Sequence, residues 1–233
     1  MAEKTFDQLI DSGERARELE DFDRSLAIFD QAILLATKLN DPAKIINAIG
    51  HKLLAYKHLA ERSNSENYWQ LYRGEVETGL KIASDAKIEG QPMALMLLRQ
   101  GDYFSHLLDY AKAEEIYQKA LEKLDPNDGG VYGEYLSHFG LAQSMSGKTE
   151  GLTTLKTSFD TVALDNKLRP FHKLVVLSGI NLRLALASAK LGFDEDSKKY
   201  MAEAERQAKE LAEQHKMSIR LKQIGEAKSK IGL

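Results

Sequence analysis

No cysteine occurs in the 233 residues. That excludes disulfide staples, thiolate metal ligands and a cysteine nucleophile, and it fits a reducing compartment. No charge of one sign dominates: 32 lysines and arginines stand against 35 aspartates and glutamates, for a net charge of -3 spread along the chain. A nucleic-acid-binding domain carries a basic face, and the sequence offers none. No long hydrophobic run is present. The most apolar stretch, LVVLSGI from Leu174 to Ile180, is closed in by Lys173 and Arg183 and is far too short to span a bilayer. The N-terminal MAEKTFDQLIDSGERARELED lacks an apolar core of signal-peptide length. These absences describe a soluble, cytoplasmic protein whose expected partners include neither a membrane nor a nucleic acid.

Proline is scarce as well, and the four that occur are informative by position. Pro42 follows Asn40-Asp41, Pro92 follows Glu89-Gly90-Gln91, Pro126 follows Asp125 and Pro170 follows Arg169. Proline is tolerated in the first turn of a helix and harmful inside one, so the four mark boundaries. Between them the apolar residues recur at helical spacing. Phe22, Leu26, Phe29, Ile33 and Ala36 form one stripe, and Met201, Ala204, Ala208 and Leu211 form another. No stretch sustains the alternation of a half-buried strand. The chain therefore reads as all-α, with helices over 4–20, 22–39, 43–61, 66–86, 91–107, 110–124, 130–146, 149–164, 170–191, 194–214 and 216–229. Thr5/Gln8 and Ser63/Glu66 have the spacing of capping boxes. The loops are short, so consecutive helices are expected to fold back as antiparallel hairpins.

The hairpins repeat. Four segments align at a turn and the helix after it: DFDRSLAIFDQA (21–32), DYAKAEEIYQKA (109–120), GKTEGLTTLKTS (147–158) and FDEDSKKYMAEA (193–204). Each carries a small residue, a larger one four later and a small one three beyond that: Ser25/Phe29/Ala32, Ala113/Tyr117/Ala120, Gly151/Leu155/Ser158 and Ser197/Met201/Ala204. Twelve residues before each triple stand Gly13, Gly101, Phe139 (beside Gly140) and Ala185. Small side chains let two helices approach closely, and the larger one fills the space to the next hairpin. The segment from 51 to 83 is degenerate, with Gly50 and Gly74 in roughly the expected roles.

In this pattern, above all in GERARELEDFDRSLAIFDQA and GDYFSHLLDYAKAEEIYQKALEKLDP, the chain resembles the tetratricopeptide repeat family. Its first small residues lie at 25, 74, 113, 151 and 197, a wider and less regular spacing than the family's usual 34 residues. The resemblance implies a single domain over 1–233. It would be a right-handed α-α superhelix of about five antiparallel hairpins (units 4–39, 43–86, 91–124, 130–164 and 170–214) with a capping helix at 216–229. It also implies that the first helix of each hairpin lines a concave groove that binds an extended or helical peptide. The groove positions carried over are Glu14 and Arg17, Asn47 and His51, Arg99 and Asp102, Ser137 and Gln143, and Arg183. One groove type of the family, a carboxylate clamp for chaperone C-termini, wants Lys and Asn where Ile10 and Glu14 stand here, and Leu95 replaces another expected Lys. That partner is not expected.

Other motifs are local. AQSMSGKT (142–149) satisfies a relaxed phosphate-loop pattern, in which Lys148 would reach phosphate and Thr149 would hold Mg²⁺. A phosphate loop follows a buried strand, whereas these residues fall at a hairpin turn: Gly147 suits the left-handed end of one helix and Thr149 the cap of the next. His51 and His58 are too far apart for a shared metal. Glu134 and His138 read as a surface hydrogen bond at i,i+4, and His106 and Asp109 as a cap or surface pair. Tyr68 and Trp69 read as packing between hairpins. No catalytic constellation, cofactor motif or metal-ligand set is discernible. The expected function is a non-enzymatic scaffold or adaptor that binds a partner peptide in its groove. The alternative is a ligand- or peptide-sensing regulatory module that acts through a partner protein.

Overall fold

The computed structural model describes residues 5–233. Among these, eleven helices and no strands occur: α1 (Phe6–Glu18), α2 (Phe22–Lys38), α3 (Pro42–Ser63), α4 (Glu66–Asp85), α5 (Gln91–His106), α6 (Tyr110–Leu121), α7 (Gly129–Met145), α8 (Glu150–Leu164), α9 (Pro170–Lys190), α10 (Asp194–His215) and α11 (Ile219–Ile231). The all-α expectation holds helix for helix. The expected first residue of the first helix, Lys4, lies outside the described residues. The last helix begins at Ile219 rather than at 216, because Lys216 takes a left-handed conformation (φ 58°) that closes α10. Pro42, Pro92 and Pro170 each stand at the first or second position of a helix, where the missing N–H costs nothing. The Thr5 capping box is formed in full, with Thr5 Oγ1 accepting from the Gln8 N–H and Gln8 Oε1 accepting from the Thr5 N–H. The Ser63/Glu66 box is not. Ser63 ends α3 and its hydroxyl turns back to the Leu59 carbonyl at 2.6 Å, while Ser65 stands at the start of α4.

The chain divides into two compact units, residues 1–107 and 108–233. In the first, α1 packs on α2, α3 on α4, and α5 on both α3 and α4. The α1/α2 hairpin closes as its sequence suggests. The Ser25 hydroxyl donates to the Gly13 carbonyl at 2.9 Å, and Phe29 lies so close that a methyl group on Gly13 would stand 2.5 Å from its ring. Ser25, Phe29 and Ala32 are all fully buried. Burying a side chain such as Phe29 contributes roughly 1.5–3 kcal/mol. In the α3/α4 hairpin the expected role of Gly74 is not realised. Gly74 is exposed with nothing within 4 Å, and Trp69, Tyr72, Val76, Gly79 and Ala83 face inward instead. At Gly79 a methyl would stand 2.3 Å from Met96 Sδ of α5.

In the second unit, α6 packs on α7, α7 on α8, α8 on α9, α9 on α10, and α11 on α9 and α10. The same device recurs. Ser197 donates to the Ala185 carbonyl at 2.9 Å, and Ser158 to the Gly133 carbonyl at 2.7 Å. Helices α7 and α8 approach closely at Gly151, where a methyl would stand 2.5 Å from the Gly140 carbonyl oxygen. Ile224 and Ala227 of α11 are buried in one cluster with Leu182, Ala185 and Met201. The last helix thus covers the end of the α9/α10 hairpin.

Candidate functional site

The phosphate-loop residues occupy a helix-to-helix turn. Helix α7 ends at Met145, Gly147 is left-handed (φ 86°), and the Lys148 N–H donates to the Gln143 carbonyl at 3.0 Å. Lys148 Nζ lies 2.8 and 2.9 Å from the two Glu114 oxygens. The residues of this turn therefore serve a helix end and an ion pair. Thr149 departs from expectation: it precedes α8 in a helical conformation and makes no side-chain cap.

The polar residues expected to line a groove lie on α1, α3, α5, α7 and α9, the first helices of the hairpins. In the first unit α1 touches α3 and α3 touches α5, and the side chains are bonded across both seams. His51 Nδ1 is 3.0 Å from Glu14 Oε1, and its ring stacks on Phe29 with centroids 5.9 Å apart. Arg99 Nε donates to the Gly50 carbonyl at 3.2 Å, and its Nη1 donates to Asp102 Oδ2 at 3.2 Å. Lys57 Nζ lies 3.2 Å from Asp102 Oδ1. Tyr72 of α4 donates its hydroxyl to the Arg99 carbonyl at 2.9 Å. Arg99 and Asp102 are 9% and 3% exposed, and with Lys57 they knot α3 to α5. Arg17 is buried too, with Nη2 4.0 Å from Glu18 Oε1. Glu14, Asn47 and His51 are half-buried and keep an open side.

In the second unit Ser137 is fully buried, and its hydroxyl donates to the Glu134 carbonyl of its own helix at 2.6 Å. Gln143 is half-buried and its Oε1 accepts from Thr154 of α8 at 2.9 Å. Arg183 is half-buried, with Nη2 2.6 Å from His138 Nε2. A guanidinium cannot accept, so His138 takes this bond on a bare Nε2 and carries its proton on Nδ1. His138 does not lie on the surface as expected. His138 is buried between the Tyr117 ring, 5.5 Å away, and Arg183.

Several polar residues escaped the sequence reading. Lys52 is 8% exposed on α3, with Nζ 2.9 Å from Asp30 Oδ1 and 2.6 Å from Glu75 Oε1. Burial works against its charge, but the two carboxylates outweigh that and hold the ammonium well above the ordinary lysine range. Its only signal was a lysine interrupting the apolar run Ile46, Ile49, Leu53. Trp69 stacks on His106 at 3.9 Å with the rings 11° apart, and His106 Nε2 is 3.6 Å from Glu66 Oε2. Trp69 packs α4 on α5, as expected of it. Asp109 caps α6 by accepting from the Lys112 N–H at 3.1 Å. Among the described residues no cluster of three or more His, Asp or Glu could hold a metal ion, and no helix is long and apolar enough to cross a membrane.

No family model matches this chain, and no curated protein does. Among solved structures it is similar to the crystal structure of BtubC (BKLC) from P. vanneervenii, at 16% identity over 88% of this chain and 80% of that one, with a TM-score of 0.60. At that identity the likeness concerns the all-helical fold alone.

Proposed function

We propose that this chain is a tetratricopeptide-like, non-enzymatic adaptor that binds a partner peptide along the face formed by its first helices. One observation carries the reading, a division of labour between alternate helices. The small–large–small triples of α2, α8 and α10 are buried and close the α1/α2, α7/α8 and α9/α10 hairpins, whereas the buried triple of α6 belongs to a helix that packs on α7. The polar side chains of α1, α3 and α5, and those of α7 and α9, collect on adjoining helices instead. Glu14, Asn47 and His51 in the first unit, and Gln143 and Arg183 in the second, keep partial exposure and offer donors and acceptors of both kinds to a peptide backbone. In the first unit the charges cancel in pairs, so that part of the face has no strong preference for an acidic or a basic ligand.

The test is affinity capture from a native lysate, read by mass spectrometry, with the wild type and Asn47→Ala/Gln143→Ala as parallel baits. Neither side chain lies in the core, and the variant loses only the bond from Thr154 to Gln143, about 1 kcal/mol, so both baits should remain folded. We expect a partner enriched by the wild type and lost by the variant. Identical captures would remove these residues from the binding face. Arg99→Glu is unsuitable for this purpose, because a second carboxylate beside buried Asp102 would unfold the α3/α5 seam.

A further inference from the structure

The single tryptophan of the chain is stacked on an imidazole. Trp69 lies in the first unit, near the start of α4, and is buried. His106 is the last residue of α5 and is half-buried. The two rings are nearly parallel, 11° apart, with centroids separated by 3.9 Å. Nε2 of His106 is 3.6 Å from Oε2 of Glu66, the first residue of α4. The Tyr103 ring lies 6.5 Å from the imidazole. Other charges of this seam are engaged. Arg73, one turn beyond Trp69, pairs with Glu77 at 2.8 Å and also interacts with Tyr103. Asp102, one turn before His106, meets Arg99 of its own helix and Lys57 of α3.

We propose that Trp69, His106 and Glu66 form a proton-operated clasp, in which gain of a proton by His106 tightens the start of α4 against the end of α5. The inference is independent of the peptide-binding reading. Parallel rings at this separation suit two neutral aromatic systems poorly, since these prefer offset or edge-to-face contact. A cation over an indole face is attracted by the ring's quadrupole. The proton also turns the Glu66 contact into a charge-assisted pair. Both helix ends favour the charged forms, because α5 presents its negative end to His106 and α4 its positive end to Glu66. Arg73 opposes the added charge, and its pairing with Glu77 offsets that. The clasp is closed on the acid side of the range in which histidines titrate, about pH 5–8, and opens as pH rises through it.

The experiment uses the full chain between about pH 8 and about pH 5, as wild type, His106→Gln and Glu66→Gln. Trp69 fluorescence reports the stack, because an imidazolium quenches a neighbouring indole and a neutral imidazole hardly does. The fluorescence should fall toward the acid end in the wild type and stay level in His106→Gln. Urea denaturation followed by circular dichroism measures the clasp itself. From the alkaline to the acid end, the ratio of the folding constants of wild type and His106→Gln should rise about fivefold or more. Comparing the two at each pH cancels the titration of distant groups. Glu66 is exposed, so Glu66→Gln should fold, keep the quenching and lose part of the rise. A ratio that stays constant or falls toward the acid end would overturn the clasp. Quenching that persists in His106→Gln would overturn it as well, by assigning the proton to another group.

Discussion

The same substitution should have opposite effects at two glycines of this chain. A methyl group on Gly151 would stand 2.3 Å from Ser144 Oγ, 2.5 Å from the Gly140 carbonyl oxygen and 2.6 Å from the Ser144 backbone nitrogen. Two of those atoms are backbone and cannot turn aside, so Gly151→Ala must push α7 from α8, at a cost of about 1–3 kcal/mol. Gly74 is also helical but has nothing within 4 Å, and Gly74→Ala should stabilise by about 0.5–1 kcal/mol through backbone entropy and helix propensity. Urea denaturation of the two variants checks both signs. Lys52 supports a second prediction at this scale. Its folded pKa lies above the ordinary 10.5, so its contribution is fully present below that value and is lost as pH rises past it. Between about pH 9 and 12 the wild type should therefore lose more stability than Lys52→Met, measured by denaturation at each pH. Equal losses would show that the Asp30–Lys52–Glu75 cluster contributes nothing to folding.

At the scale of the helix, the ends carry the strain. Among the described residues, six other than glycine sit at positive φ: Glu20, Asn40, Asn64, Lys87, Leu108 and Lys216. For a residue such as lysine the left-handed conformation costs about 1–2 kcal/mol, whereas glycine adds only about 0.5–1 kcal/mol of chain entropy to lose. The strain outweighs the entropy, so Lys216→Gly should raise stability by about 0.5–1 kcal/mol, and Asn64→Gly by less, since asparagine tolerates this conformation. Thermal melts of both variants decide the order. Helix ends were legible where proline or a capping pair marked them, as at Pro42, Pro170 and Thr5. They were misread at Ser63/Glu66 and Thr149, where the right residue types stand but the hydroxyls do not cap. The α3/α4 seam was misread for a different reason. Gly74 offers the small residue of the repeat, whereas the helix turns Tyr72 inward to reach the Arg99 carbonyl.

For the whole molecule, the local pattern carried much of the fold and little of the candidate site. A triple such as Ser25/Phe29/Ala32 announces its own burial because its periodicity lies within one helix. The bonds that organise the candidate residues of each unit join positions far apart in the chain: Glu14 to His51 and Arg99 to Gly50 in the first, His138 to Arg183 in the second. Nothing in the spacing of single residues reveals that Arg99 and Asp102 are buried against α3, or that His106 stacks on Trp69. The family resemblance places the candidate residues on the first helices, and packing divides them into those that join the helices and those that keep partial exposure. Backbone hydrogen exchange of the full chain, with and without a saturating peptide from a captured partner, tests that division directly. The adaptor account predicts slower exchange in α1, α3, α7 and α9 on peptide binding, with α2, α4, α8 and α10 unchanged. Protection concentrated in the second helices would contradict it.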